Sequence, residues 1–307
     1  MITQNFEKVN EKKLEFAKHK DFAQNFQTML ANFYKTPTGE ESEKAEQIRN
    51  CGSRLSFERF FDEKDTTKLA SANFCKHRLC PFCAWRWHTK TAKLIERTFE
   101  IVGNKNFYHL ILTIPNVKFL TKEFLIDLRV KATTMMKKIL KCKDYFISFE
   151  ITIDKNGLFH PHFHILCILK ENAIPTRKML QTEWARVSNC GSDYAICKLV
   201  ECSDNKISQE LTKYILKFES EEIDPKKLFV INKAIKGLRK FASNGIIKKA
   251  EEQAKKELDH EKFIEMQTLS LYDSEVYFYE WFGKSYQLTK QIKITKEERG
   301  DFDYEEI

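Results

Sequence analysis

Two runs of alternating apolar and polar residues flank the dipeptide Asn156-Gly157, and this pattern constrains the fold most strongly. The runs cover residues 145–153 and 159–169. Asn-Gly between two such runs is the strongest short-range signal for a β-hairpin. A turn centred near Asn156 places Glu150 opposite His162, because residues pair symmetrically about the turn of an antiparallel hairpin. We therefore predict an antiparallel sheet that contains this hairpin.

Three histidines lie on the second strand of the predicted hairpin. Successive side chains of a strand point to opposite faces, so His160, His162 and His164 share one face and Phe163 points to the other. Two imidazoles and a facing carboxylate, that of Glu150, can bind one cation. This ligand set suits Mg²⁺ or Mn²⁺ with positions left open for a phosphate, and Zn²⁺ also accepts it. The alternative is a polar sheet face that carries histidines without a metal.

The other patterns along the chain predict the fold class. A buried strand is predicted over residues 107–114, and helices are predicted over 121–143, 176–187 and 208–218. Residues 226–268 are mostly helical and basic, and an acidic tail follows them. Strands and helices in this order favour an α+β fold with a central antiparallel β-sheet flanked by helices.

The net charge bears on the binding partner, and the hydropathy bears on the cellular compartment. The formal net charge of +8 and the pI near 8.8 suit a polyanionic partner, although many proteins are this basic. No segment has the roughly 20 apolar residues that span a bilayer, and the first residues lack the apolar core of a secretory signal. We therefore expect a cytoplasmic protein. In a reducing compartment, clustered cysteines hold metal more often than they form disulfides.

Four of the nine cysteines have the spacing of a zinc site. Cys51, Cys75, Cys80 and Cys83 follow the pattern C-x23-C-x4-C-x2-C. Four thiolates complete the tetrahedral shell of a structural Zn²⁺, and the C-x2-C pair closes the knuckle around it. His77 or His88 could replace one cysteine, and unligated reduced thiols are the alternative. The remaining cysteines are predicted to be small buried hydrophobes: Cys142, Cys167, Cys190, Cys197 and Cys202.

Basic residues and tryptophans alternate directly after the cysteines, over residues 85–93. Arg86, Lys90 and Lys93 could hold DNA phosphates while the tryptophans stack on bases. The same pattern also fits a helix that packs into the core and exposes a basic face to solvent. The sequence does not decide between the two.

An amphipathic helix predicted over residues 208–217 carries one tyrosine on its polar side, between Glu210 and Lys217. Glu210, Lys213 and Lys217 share this polar side with Tyr214, and Glu210 lies one turn before Tyr214 and Lys217 one turn after it. A phenol has a pKa near 10 and is a weak nucleophile at neutral pH. It needs a nearby cation and a Lewis acid that polarises its target. Without such a context, an exposed tyrosine among charged residues has no catalytic meaning.

Three motifs together resemble those of the plasmid rolling-circle replication initiators (Rep proteins) of the HUH endonuclease superfamily. They are the histidine pair His162-Phe163-His164, the sequence Lys213-Tyr214-Ile215-Leu216-Lys217, and the strand end Thr113-Ile114-Pro115-Asn116. The cysteine block and the sequence Lys236-Gly237-Leu238-Arg239 are also similar to the family. The resemblance covers roughly residues 50–250.

The resemblance implies an HUH endonuclease-like sheet in which His162 and His164 bind Mg²⁺ or Mn²⁺. Tyr214 would then attack a scissile phosphate in single-stranded DNA, which leaves a 5′-phosphotyrosine and a 3′-OH that primes a polymerase. Some members carry a second tyrosine four residues on, but Phe218 stands there, which indicates a single-tyrosine enzyme. Glu210 then either activates water to end the round or forms a salt bridge with Lys213 or Lys217.

The patterns along the chain predict a domain organisation, and the resemblance implies a set of partners. We expect an N-terminal helical region (1–50), a small zinc-binding module (51–90), the nuclease core (91–225), and a C-terminal helical region with an acidic tail (226–307). The expected partners are plasmid origin DNA, as a single-stranded or hairpin nick site with adjacent duplex, and the host helicase and DNA polymerase. A homodimer is left open.

Three alternatives to the initiator stay open. A relaxase or transposase of the same superfamily would use the same chemistry in another context. A non-catalytic, zinc-containing DNA-binding regulator would leave the histidine strand and Tyr214 without a role. A hydrolytic metallonuclease would use water as its nucleophile and would tolerate the loss of the Tyr214 hydroxyl.

Overall fold

A computed structural model describes residues 7–35, 38–103, 105–170, 174–191, 196–202 and 224–298. Its helices are α1 (Glu7–Ala31), α2 (Glu43–Arg49), α3 (Pro81–Val102), α4 (Lys122–Thr134), α5 (Arg177–Ser188), α6 (Pro225–Ile235) and α7 (Gly245–Leu269). Its strands are β1 (Arg54–Phe60), β2 (Thr67–Ala72), β3 (Phe107–Thr113), β4 (Tyr145–Ile153), β5 (Phe159–Ile168), β6 (Ile196–Cys202), β7 (Phe241–Asn244), β8 (Ser274–Phe282) and β9 (Ser285–Ile294). The chain forms two compact units, one from residues 1–90 and 258–307 and one from 91–257.

The second unit is built on a five-stranded antiparallel sheet with the strand order β6-β3-β5-β4-β7. One face carries the larger core, where α4 and α5 contribute side chains such as Leu128 and Trp184. The opposite face carries a smaller core around Phe146 and Leu166, to which α3 and α7 contribute. The predicted α+β class with a central antiparallel sheet and flanking helices is therefore confirmed.

The β4–β5 hairpin has the predicted register. Glu150 pairs with His162, and Thr152 pairs with His160. The Asp154 side chain accepts hydrogen bonds from the backbone N–H groups of Asn156 and Leu158, and Gly157 has a φ of 71° that other residues rarely adopt. The turn is therefore closed by local interactions. Local closure explains why its position could be predicted from the sequence.

The first unit contains a four-stranded antiparallel sheet with the order β2-β1-β8-β9. Helix α1 packs on this sheet through Phe16, whose ring lies edge-on to that of Phe57 at 5.4 Å. Tyr279 of β8 contacts the same Phe57 ring at 6.1 Å. The cysteine block therefore belongs to a unit with its own sheet and core.

The C-terminal region is not wholly helical, and the prediction missed the β8–β9 hairpin. Strand β8 is rich in aromatic residues, which favour strands, but β9 contains lysine and glutamine at exposed positions, and these residues are also common in helices. Strand β7 was missed too, because it has only four residues. Helix α6 begins at Pro225, and the Asp224 side chain caps it by accepting a hydrogen bond from the Lys226 backbone N–H.

Two further findings concern the helices. The helix predicted over 121–143 ends as an α-helix at Thr134 and continues as a π-helical turn over Met135–Ile139. No helix among the described residues is long and apolar enough to cross a membrane.

Candidate functional site

The hairpin brings Glu150, His162 and His164 together on one face of the five-stranded sheet. His162 Nε2 lies 2.9 Å from Glu150 Oε2, and His164 Nε2 lies 3.4 Å from the same oxygen. Each residue offers a ligand atom within 4.8 Å of the others. Glu150 and His164 are buried and His162 is partly buried. The arrangement follows from the register, because paired residues of adjacent antiparallel strands share a face.

These three side chains fit a divalent cation. Ligands at about 2.1 Å from a metal and at right angles to one another lie about 3 Å apart, which is close to the separations found here. Glu150 Oε1 is buried and has no hydrogen-bond partner within the described part of the chain. Burial raises the pKa of Glu150, but hydrogen bonds with His162 and His164 bring it down to about 2. Glu150 is therefore an ionised carboxylate, as a ligand of Mg²⁺ or Mn²⁺ must be.

His160 shares the face but lies outside this cluster of ligand atoms. Its Nδ1 forms a hydrogen bond with Asn116 Oδ1, and Asn116 Nδ2 donates to Asp154 Oδ2 at 2.7 Å. Burial, followed by the neighbouring His162, lowers the pKa of His160. The structure therefore ties His160 to the end of the hairpin, and its role as a metal ligand stays a prediction.

His109 is part of the site and was missed by the sequence analysis. It lies on β3, next to β5, and its Nε2 is 3.1 Å from Nδ1 of His164. His109 is buried. A histidine that binds metal through Nε2 commonly uses its other ring nitrogen in a hydrogen bond that sets its orientation. The pairing of β3 with β5 is the missing signal, because a single histidine in an apolar strand does not reveal its neighbour.

Thr113 lies beside the cluster, because it pairs with His162 across β3 and β5. Its Oγ1 is buried and has no hydrogen-bond partner among the residues that the structure describes. The Trp184 indole donates to the Thr113 backbone carbonyl at 2.6 Å and so holds the strand end in place. Thr113 thus presents a polar atom on the face that carries the three ligand candidates.

The four predicted cysteines form a second cluster, in the first unit. Cys51 Sγ lies 3.4 Å from Cys83 Sγ and 3.7 Å from Cys80 Sγ, and Cys75 Sγ lies 3.7 Å from Cys83 Sγ. Tetrahedral Zn²⁺ with Zn–S bonds of about 2.3 Å requires sulfur atoms about 3.8 Å apart. The donor set and its spacing therefore fit a metal with four thiolate ligands.

Local backbone geometry explains how the cysteines converge. Cys51 follows α2, Cys75 follows β2, and Cys80 and Cys83 flank the start of α3. Gly52 has a φ of 73°, and a Cβ there would lie 2.3 Å from the Phe82 ring. Hydrogen bonds among the thiols raise the pKa of Cys51 and lower that of Cys80. A thiolate is also favoured at a helix N-terminus, where Cys80 lies.

The two histidines considered as substitute ligands are not in the cysteine cluster. His77 Nε2 forms a hydrogen bond of 2.8 Å with the Tyr34 hydroxyl, and His77 Nδ1 accepts from the Leu79 backbone N–H. His88 lies further along α3. All of the other cysteines were predicted to be buried. Cys142, Cys167 and Cys197 are buried, whereas Cys190 and Cys202 are only half-buried.

The residues of α3 proposed to contact DNA fall into two groups. Arg86 packs over the rings of Phe16, Phe74 and Trp85, with its guanidinium carbon 5.2 to 5.9 Å from their centroids. Lys90 and Lys93 are exposed. The packing of Arg86 agrees with the second interpretation of this segment, in which the helix packs into the core and exposes a basic face to solvent. Contact of Arg86, Lys90 and Lys93 with DNA stays a prediction.

Four predicted site residues lie outside the described part of the chain: Glu210, Lys213, Tyr214 and Lys217. Their roles therefore stay predictions from the sequence.

The chain is similar to known proteins over most of the residues described above. Residues 66–287 match a family model described as "Replication protein". The chain is 35% identical over 149 residues to "Protein rep" of Bacillus amyloliquefaciens, which is 46% of this chain and 44% of that protein. It is 34% identical over 151 residues to "Protein rep" of a Bacillus species, which is 47% of this chain and 49% of that protein. It is 28% identical over 221 residues to "Protein rep" of Streptococcus pneumoniae, which is 68% of each. The chain thus spans less than half of the length of each Bacillus protein, and no solved structure matches it.

Proposed function

Because this chain belongs to the Replication protein family, we propose that it initiates rolling-circle replication of a plasmid by nicking one strand at the origin. The observation that carries the proposal is the cluster of Glu150, His162 and His164, which lies inside the matched residues. Two imidazoles and an ionised carboxylate leave coordination positions for a phosphate group. The substrate is plasmid origin DNA, as a single-stranded or hairpin nick site with adjacent duplex.

In the proposed reaction, His162, His164 and Glu150 hold Mg²⁺ or Mn²⁺. The bound cation supplies Lewis-acid polarisation of the scissile phosphate. Tyr214 loses its phenolic proton and attacks phosphorus, while the 3′-oxygen of the preceding nucleotide leaves and takes up a proton. One phosphodiester bond is exchanged for another, so the strand can be rejoined later. The products are a 5′-phosphotyrosine and a 3′-OH that primes the host polymerase.

Further residues have proposed supporting roles. Lys217 favours the phenolate of Tyr214, and Lys213 contacts the DNA backbone. Glu210 activates the water that ends the round, or it pairs with one of these lysines. In this proposal Lys90 and Lys93, which are exposed, and Arg86 contact DNA phosphates. A host helicase opens the duplex after nicking.

The four cysteines have a structural role in this proposal. Zn²⁺ held by Cys51, Cys75, Cys80 and Cys83 joins the end of α2, the end of β2 and the start of α3. A closed shell of four thiolates leaves no position for a substrate, so this centre stabilises the unit and takes no part in strand cleavage.

The proposal is tested on a denaturing gel with wild type and Tyr214→Phe. Each protein is incubated with Mn²⁺ and single-stranded oligonucleotides that tile the origin of the replicon that encodes it. We expect a metal-dependent covalent protein–DNA band with wild type only. Cleavage by both proteins without an adduct would point to hydrolysis by water. Intact DNA with both would favour a DNA-binding protein without nuclease activity.

A further inference from the structure

Two polar residues of α1 are buried beside the cysteine cluster. Lys20 is 2% exposed and Gln27 is 0% exposed. They lie two helical turns apart and therefore on the same face of the helix. Lys20 Nζ donates to Gln27 Oε1 and to the Cys51 backbone carbonyl, both at 2.7 Å. The contacts join the N-terminal helix to the first of the four cysteines.

Gln27 reaches a cysteine sulfur directly. Its Nε2 lies 3.2 Å from the Cys51 carbonyl oxygen and 3.4 Å from Cys80 Sγ. Because Gln27 Oε1 accepts from Lys20, the amide orientation is set and its N–H groups point toward the cysteines. A hydrogen bond from an amide N–H to sulfur stabilises a thiolate more than a neutral thiol, since the acceptor is then charged.

A charged Lys20 at this buried position needs an anion nearby. An ammonium group removed from water is strongly destabilising unless it is paired. Among the described residues, no aspartate or glutamate forms an ion pair with Lys20, and the titratable groups that act on it are the four cysteines. Four neutral thiols would not offset its charge. Four thiolates around a divalent metal carry two net negative charges and would offset it.

We propose that Lys20 is the counter-cation of a tetrathiolate metal centre and that Gln27 is its N–H donor to sulfur. Helix α1 is therefore part of the metal site, although residues 1–65 lie outside the family match. The inference depends on the proposed zinc role of the cysteines. It adds that the site requires a metal that keeps all four thiolates charged, and that metal loss leaves Lys20 buried without a counter-charge.

The test measures zinc content and the rate at which a chromophoric chelator removes zinc. Lys20→Met removes the charge and keeps the length of the side chain. Lys12→Met is the matched control, because Lys12 lies on the same helix and contacts the Thr67 carbonyl instead of the cysteines. We expect zinc release from Lys20→Met to be about 10-fold to 100-fold faster than from wild type, the usual effect of losing a partner of a metal ligand. The control should release zinc at the wild-type rate.

Equal release rates for Lys20→Met and wild type would overturn the proposal, whereas wild type without bound metal would remove the zinc assignment itself.

Should Lys20→Met fail to fold, Gln27→Leu in cobalt-substituted protein tests the proposal instead. This variant keeps the charge of Lys20 and removes the N–H donor to the Cys80 sulfur. We expect the thiolate-to-cobalt absorption band to move to lower energy, since a thiolate without that hydrogen bond gives up an electron more readily. An unchanged band would contradict the proposal.

Discussion

His109 Nε2 lies 3.1 Å from His164 Nδ1, across the boundary between β3 and β5. His164 Nε2 faces Glu150 at 3.4 Å. The two ring nitrogens of His164 thus face opposite ways, one toward the carboxylate of the proposed metal site and one toward His109. We expect His109 to act as a positioning residue for a proposed metal ligand, because this contact can fix the ring of His164 while His109 stays outside the cluster.

The contact leads to a prediction for His109→Leu and His109→Gln. Leucine removes the hydrogen bond, whereas the glutamine oxygen can take the place of Nε2 as an acceptor. We expect the Mn²⁺ affinity to fall about 10-fold to 100-fold in His109→Leu and to recover largely in His109→Gln. A Mn²⁺ titration followed by electron paramagnetic resonance measures it, with thermal melting as the control for folding. Equal affinity in wild type and His109→Leu would rule out a positioning role.

Loss of either histidine ligand is predicted to abolish nicking. His162→Ala and His164→Ala each remove one of three proposed ligands, so the cation should no longer bind at limiting Mn²⁺. The secondary structure should remain, because the larger core lies on the other face of the sheet. Nicking assays at limiting Mn²⁺ and circular dichroism test this. Wild-type nicking by either variant would refute the metal assignment.

The pKa of Glu150 predicts a pH dependence of stability in metal-free protein. Its pKa is lowered from 4.5 to about 2 in the folded state, so its contribution is fully present above pH 4.5 and is lost as the pH falls toward 2. The difference in free energy of unfolding between wild type and Glu150→Gln should therefore shrink over that interval. Chemical denaturation of both proteins at several pH values measures it. A difference that stays constant with pH would contradict the lowered pKa.

The cysteine cluster predicts about one tightly bound zinc per chain. Elemental analysis after gentle purification should find it, and Cys75→Ser or Cys80→Ser should reduce it strongly. Cys202→Ser is a suitable control, because Cys202 lies outside the cluster and is half-buried. Chelation should also lower the melting temperature, since metal binding contributes to folding. Purified protein without zinc would refute the structural role.

Gly52→Ala is predicted to be more destabilising than Gly283→Ala. Both glycines have a φ near 70°, where a non-glycine residue is destabilising by roughly 1 kcal/mol. A Cβ at Gly283 would have nothing within 4 Å, whereas one at Gly52 would lie 2.3 Å from the Phe82 ring. Gly52→Ala should therefore also shift Cys51 and weaken zinc binding. Comparable unfolding free energies and zinc content in the two variants would contradict this.

Parts of the two clusters could be predicted from the sequence, because they depend on local patterns of residues. The pairing of Glu150 with His162 follows from a two-residue period and an Asn-Gly turn, both contained within one hairpin. The four cysteines could be selected from nine because ligand spacing around Zn²⁺ is itself a local pattern.

Other parts required the fold. The position of His109 depends on β3 pairing with β5, although 45 or more residues separate the two strands in the chain. The hairpin of β8 and β9 joins β1, and its aromatic residues complete a core that starts near the N-terminus. Which strands and helices become neighbours depends on which apolar surfaces can be buried together, and a local sequence pattern does not predict this.

The sequence by itself therefore determined the β4–β5 hairpin, its histidine face and the set of four clustered cysteines, because each is set by residues close together in the chain or by a spacing typical of metal ligands. Only the tertiary structure decided that His109 contacts His164 and that Lys20 lies buried beside the cysteines. Both contacts join elements far apart in the sequence. Their geometry arises when sheet pairing and helix packing exclude water from the two sites.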